Sequence, residues 1–192
     1  MAVLILFAGA SVVRAAPDGI LGAATVSQRA ERIPAESVPA ESVPVESTGL
    51  QFPIDPRPVC EVFDNFGGFS KSRGSGGHQG VDIGTDFRQE VYAVEDGVLY
   101  REFSGSGSGL GWGLHGDSDT KYRYYHLDEL VEDLAVDDRV TSGQLIGWVG
   151  DTGNASPGGW HLHFEVRPGP EPHGTPVDPV PLLAVPPVCN VY

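Results

Sequence analysis

From about Cys60 onward the chain alternates apolar and polar residues in short runs: EVFDNF, HQGVDI, EVYAVEDGVLY, KYRYYHL, QLIGWVG and WHLHFEV. Each reads as a strand, and Gly, Ser and Asp clusters, as at 104–109 and 150–159, separate them. Helical spacing competes only near Leu127 to Leu134. The pattern predicts a mainly β fold, an antiparallel, sandwich-like domain with Gly-rich loops and an irregular Pro-rich tail from Pro168. Alternation also assigns faces. In GGWHLHFEV, Trp160, Leu162, Phe164 and Val166 share one face and His161, His163 and Glu165 the other. In HQGVDIG, His78, Gly80 and Asp82 oppose Val81 and Ile83. In KYRYYHL, His126 falls with Tyr122 and Tyr124, while Tyr125 and Leu127 face inward or line a groove.

Ahead of these runs the texture differs. MAVLILFAGASVVRAAP has an apolar stretch of about a dozen residues and then small ones, as a secretory signal peptide over 1–15 does, although no Lys or Arg precedes it. It is too short for a stable membrane span, which takes about 20 apolar residues. Residues 16–56 read as a spacer: IPAES, VPAES and VPVES repeat across 33–47, and a Pro and a Glu in every unit give a stiff, extended, acidic segment. The folded domain is expected over 57–192. Export also changes how the two cysteines read. Cys60 and Cys189, one near each end of that domain, suit a single disulfide in an oxidising compartment better than two zinc thiolates, because neither lies in Cys-x-x-Cys spacing.

The 192 residues have room for one domain with a proper core. A net charge of -14 argues against nucleic acid and an anionic membrane surface as partners, since both would repel the chain. The acidic run DELVEDLAVDD lacks the Asp-x-Asp-x-Asp-Gly spacing of a calcium loop and reads as a solvated face.

Five residues carry candidate chemistry: His78, Asp82, His126, His161 and His163. Imidazoles with one carboxylate suit zinc, and a catalytic zinc keeps three protein ligands and one open position. Spacing leaves open which three would ligate. On a straight strand His78 and Asp82 would be about 13 Å apart, so both reach one ion only across a kink, for which Gly76, Gly77, Gly80 and Gly84 leave room. Glu165 either orients a neighbouring histidine or meets solvent, and His115 and His173 read as exposed. Trp112, Trp160, Tyr124 and Tyr125 divide between cleft and core. GGFSKSRGSGG forms a flexible lip before His78, and without a Gly-Lys-Ser/Thr it is no phosphate loop.

HQGVDIGTDFRQEVYAVEDGVL, YRYYHLDEL, VTSGQLIGWVGDTGNASPGGWHLHFEVR and PVDPVPLL resemble, in order and spacing, the lysostaphin-type (LytM-like) zinc endopeptidases of bacterial cell walls, over roughly Gly77 to Leu183. The resemblance implies that His78, Asp82 and His163 bind Zn2+ and that His126 and His161 are catalytic. The implied activity is that of a secreted or cell-envelope endopeptidase, cleaving stem or cross-bridge peptides of peptidoglycan with a metal-activated water. No His-Glu-x-x-His glutamate is present, so His126 and His161 jointly would take the water's proton and stabilise the oxyanion. All five residues are in place, which argues against relatives that lost the metal. GNASPGGW before His161 and LGWGLHGDSDTK before His126 depart from the usual pattern and bear on groove shape. The alternative is a catalytically weak envelope-binding or regulatory module on the same fold. A structural β-domain with incidental histidines is the third reading.

Overall fold

The computed structural model describes residues 49–69, 77–170 and 173–192. The apolar leader, most of the spacer and most of the glycine-rich lip lie outside the described residues. Ten strands follow in order: β1 (Glu61–Phe63), β2 (Val81–Gly84), β3 (Glu90–Tyr92), β4 (Gly97–Gly105), β5 (Gly109–Gly116), β6 (Thr120–Leu130), β7 (Arg139–Val140), β8 (Leu145–Val149), β9 (His161–Pro168) and β10 (Asn190–Val191). The main sheet runs β10-β1-β2-β9-β6-β5-β4-β7, and β8, with β3 beside it, branches from β6. Every pair is antiparallel except β1 with β10.

The alternation read from the sequence builds the core. Val81, Ile83, Leu114, Tyr122, Tyr124, Leu162, Phe164 and Val166 bury one face of the main sheet against Val91, Val94, Ile146 and Val149 from the β3–β8 branch. Large aromatic groups are tolerated there because their polar tips find partners. Trp112 Nε1 donates to the Ile146 carbonyl at 3.0 Å, and Tyr124 Oη accepts the Val94 amide at 3.0 Å. The candidate residues lie on the opposite face of β2, β9 and β6, the open face, which borders a cavity although His163, Glu165 and Arg167 on it are themselves buried.

Strand β6 breaks the expected alternation. Its first half pairs with β9 through Tyr125, and its second half pairs with β8 from Leu127. Leu110 and Trp112 of β5, two residues apart, face Leu127 and Tyr124, three residues apart, so β6 carries one extra residue. His126 takes the left-handed backbone at φ 66° in this bulge. Tyr124 and Leu127 therefore both point into the core, and His126 joins Tyr125 on the open face instead of Tyr122 and Tyr124. The bulge crowds β5, where a Cβ on Gly111 would come within 1.9 Å of the Tyr124 carbonyl oxygen.

Three other expectations are corrected. Leu127 to Leu130 is strand, followed by turns. The packed chain begins ahead of 57: Phe52 and Ile54 are buried, and the Leu50 amide donates to the Leu182 carbonyl at 2.8 Å. Proline-rich composition conceals these anchors, because burial of two side chains needs no periodic run. The tail is irregular for most of its length but not loose, since Leu183 enters the core and β10 pairs with β1. A disulfide joins Cys60 to Cys189 across 129 residues and fastens that tail. Replacing both cysteines by serine is expected to cost about 2–5 kcal/mol, read as a lower urea midpoint with a steeper slope, because the unfolded chain loses its cross-link.

Candidate metal centre

Three adjacent strands bring the site together. In the β2–β9 register Asp82 lies opposite His163, and in the β6–β9 register Tyr125 lies opposite His163. His78 precedes β2. Gly77, at φ 66°, turns the chain there, and the His78 amide and carbonyl are held by Gly68 and Gly67 at 3.0 and 2.7 Å. The bend replaces the straight-strand separation with a His78 Nε2 to Asp82 Oδ1 distance of 3.1 Å. Gly80 permits the close approach, because a Cβ there would stand 2.2 Å from the Phe164 carbonyl oxygen and 3.0 Å from His163 Nε2.

Every imidazole of the cluster is anchored through one nitrogen to a group that only accepts. His78 Nδ1 meets the Asn65 carbonyl at 3.1 Å, His126 Nδ1 the Thr152 carbonyl at 2.8 Å, and His161 Nδ1 the Gly159 carbonyl at 2.8 Å. His163 is anchored at its other nitrogen, Nε2, by the Glu165 carboxylate at 3.3 Å. An acceptor at one nitrogen holds a proton there, which leaves the second nitrogen of each ring available as a ligand or base. These second nitrogens line a cavity of about 650 Å³ whose walls include Tyr125 and residues of the Gly107–Ser108 and Asn154–Ser156 loops.

The donor set fits a metal ion. His78 Nε2 lies 2.8 Å from His163 Nδ1, and Asp82 Oδ1 lies 3.1 and 3.0 Å from the two nitrogens. Ligands of a tetrahedral zinc stand about 3.3 Å from one another, given bonds of roughly 2.0 Å. Two imidazole nitrogens and a carboxylate oxygen at these separations suit a cation between them. Among the described residues this is the group of three whose ligand atoms lie within 4.8 Å of each other. The second Asp82 oxygen accepts the Asn65 side-chain amide at 3.1 Å, which fixes its orientation.

The electrostatics agree. Burial alone would raise the Asp82 pKa, but hydrogen bonds from His163 and His78 outweigh it and hold the carboxyl well below the usual range. Burial likewise opposes charge on His163, yet Asp82 and Glu165 on either side raise its pKa. Burial would also raise Glu165, whose pKa is lowered by His163 and by the Arg123 and Arg167 guanidinium groups. His126 goes the other way: burial, then repulsion from His161, pushes it down to about 4. The His126 ring centre lies 4.8 Å from that of His161, whose Nε2 is 3.8 Å from Asp82 Oδ1.

The sequence pattern that defines Peptidase family M23 matches residues 76–179, more than half of the chain and every residue of this cluster. The chain belongs to peptidase family M23. Glycyl-glycine endopeptidase ALE-1 of Staphylococcus capitis is 32% identical over 120 residues, covering 62% of this chain and 32% of the relative. Lysostaphin of Staphylococcus simulans is 32% identical over 119 residues, covering 62% of this chain and 24% of the relative. The chain thus spans about a third or less of the length of these relatives. The catalytic domain of the antimicrobial peptidase lysostaphin superposes at TM-score 0.51 with 29% identity, covering 68% of this chain and 87% of that domain. A variant of the catalytic domain of EnpA, a prophage-encoded M23 protein of Enterococcus faecalis, does so at 0.55 with 26% identity, covering 67% and 94%.

In this M23 chain the structure gathers all five sequence candidates into one cavity. Glu165 faces His163 from the same strand, so the orienting reading holds. Trp112 and Tyr124 are core, Tyr125 lines the cavity, and Trp160 lies outside β9, half-exposed against Phe87 at 5.7 Å. His115 pairs with Asp119 at 2.9 Å, and His173 is exposed. Sequence reasoning missed Asn65, Thr152 and Gly159, which anchor through side chain or backbone across loops and carry no periodic signal. Because His126 is neutral in the fold down to pH about 4 while an unfolded histidine titrates near 6.5, its contribution lowers stability as pH falls through that window. In chelator-treated protein, an NMR titration of the His126 ring protons is expected to show a midpoint near 4. A midpoint near 6.5 would contradict the burial assigned to it.

Proposed function

We propose that the chain is a zinc-dependent endopeptidase that acts outside the cytoplasm on the peptide part of peptidoglycan, with His78, Asp82 and His163 holding the metal and His126 and His161 acting on the reacting groups. The observation that carries this is the gathering of His78 Nε2, His163 Nδ1 and His161 Nε2 at 3.1, 3.0 and 3.8 Å from Asp82 Oδ1, with each ring anchored at its other nitrogen. Zinc held there supplies a Lewis acid for the scissile carbonyl and an activated water as nucleophile. His126 and His161 lie side by side beside the cluster, each held at Nδ1 by a carbonyl with Nε2 left over, so one can accept the proton of the water, and that ring, once protonated, can donate to the developing oxyanion. The depressed pKa of His126 keeps it neutral and able to accept at physiological pH. Tyr125, its hydroxyl pushed up to about 12 by burial and by Glu165, stays protonated while its ring stacks on His163 at 5.6 Å. The cross-chain disulfide supports an oxidising compartment, as the apolar leader does. No helix among the described residues is long and apolar enough to cross a membrane.

The test is metal content by plasma mass spectrometry on the full chain, followed by turbidity loss on purified cell-wall sacculi. Near one zinc per chain is expected, lost in His78→Ala and in His163→Ala. His126→Ala and His161→Ala should keep the metal and slow clearing by about 10²-fold or more. Zinc without clearing by the native chain would favour the envelope-binding module instead.

A further inference from the structure

The open face of the sheet continues past the metal centre into a second concavity of about 300 Å³, lined by Arg101, Phe103, Arg123, Arg167 and His173. It begins one pleat further along the same strands, for Tyr125 faces His163 in the cluster and Arg123 faces Glu165 beside it. Same-face neighbours on a strand are about 7 Å apart. A peptide whose reacting carbonyl sits at the cluster therefore reaches the arginines within about two residues.

Three guanidinium groups in one hollow stand out in a chain of net charge -14. Elsewhere among the described residues arginine is matched by acid: Arg57 with Asp55, Arg88 with Asp128 and Glu129, and Arg139 with Asp117. Here a single carboxylate serves. Glu165 Oε2 accepts Arg167 Nη1 at 2.8 Å and Arg123 Nη1 at 3.3 Å, while Oε1 is taken by His163. Arg101 pairs with no carboxylate among the described residues and lies over the Phe103 ring at 4.8 Å. Arg123 lies over the same ring at 5.9 Å, and its Nε is buried without a hydrogen-bond partner. Phe103 is buried and braced edge-on by Tyr125 at 4.9 Å, so one ring pre-orients two guanidinium groups and ties them to the wall of the metal centre. Arg167 is held further by Gln79 Oε1 at 3.0 Å. Oriented N–H donors with excess positive charge are the chemistry that recognises a carboxylate.

We propose that Arg101, Arg123 and Arg167 form an anion-binding subsite of the substrate groove, which takes a free carboxylate of the peptide within about two residues of the bond that is cut. This rests on the endopeptidase reading and narrows it. A glycyl-glycine bridge has no ionisable side chain to offer, whereas stem peptides carry free carboxylates, so the subsite selects a stem-type substrate.

The experiment uses the full chain with zinc and a stem-type peptide in two forms, its carboxylates free or amidated, with pentaglycine beside them. The free acid is expected to show a kcat/KM about tenfold to a hundredfold above the amide, the span of a charge-assisted hydrogen bond. Arg101→Gln should erase most of that preference through KM. Calorimetric titration of the same two peptides reads the subsite without turnover, and tighter binding of the acid that is lost in Arg101→Gln supports it even if neither peptide is cut. Cleavage of neither peptide, of pentaglycine or of sacculi would sink the endopeptidase reading alone. Equal cleavage and equal binding of acid and amide would overturn the subsite and leave that reading standing. Tighter binding of glycerol phosphate than of the acid peptide, dependent on Arg101, would assign the hollow to wall phosphodiesters and overturn the carboxylate assignment.

Discussion

Strand β6 is hydrogen-bonded to β5 along one edge and to both β9 and β8 along the other, and it serves two partners on one edge only by changing direction at His126. The extra residue there costs backbone strain of about 1–3 kcal/mol for a non-glycine in the left-handed region. Three contacts hold it in place: the His126 amide donates to the Ser108 carbonyl at 3.0 Å, its carbonyl accepts from the Gly150 amide at 2.9 Å, and its ring donates to the Thr152 carbonyl at 2.8 Å. The branch β3–β8 that covers the core and the turn of His126 into the cavity follow from the same kink. One distortion both closes the hydrophobic layer and aims the His126 side chain into the cavity.

The cluster beside it is arranged for a positive charge. Each ring is pinned by an acceptor on its outer nitrogen, and Asp82 is pinned by Asn65, so little side-chain freedom remains to be lost when a cation enters. His163 is the junction, with Asp82 opposite it on β2, Tyr125 opposite it on β6 and Glu165 on its own strand. Glu165 links the cluster outward, since its other oxygen accepts from both Arg123 and Arg167. The candidate metal centre and the arginine hollow thus share one carboxylate, and the charge at one bears on the other.

What the chain's pattern determined by itself is the β architecture, the faces of β2 and β9, and the identity of the five clustered residues. These rest on a strict two-residue period and on side-chain chemistry, which are local properties. Val81 and Ile83 on β2, and Leu162, Phe164 and Val166 on β9, are buried as alternation requires, with Asp82, His161, His163 and Glu165 opposite them. Only the tertiary structure decided where that period fails. His126 changes face because two strands compete for one edge, His78 comes within reach of Asp82 because Gly77 bends the chain, and Phe52, Ile54 and Leu183 become core because distant segments close over them. Contacts between residues far apart in sequence leave no periodic trace, so Asn65, Thr152 and the arginine hollow became visible only once the strands lay side by side.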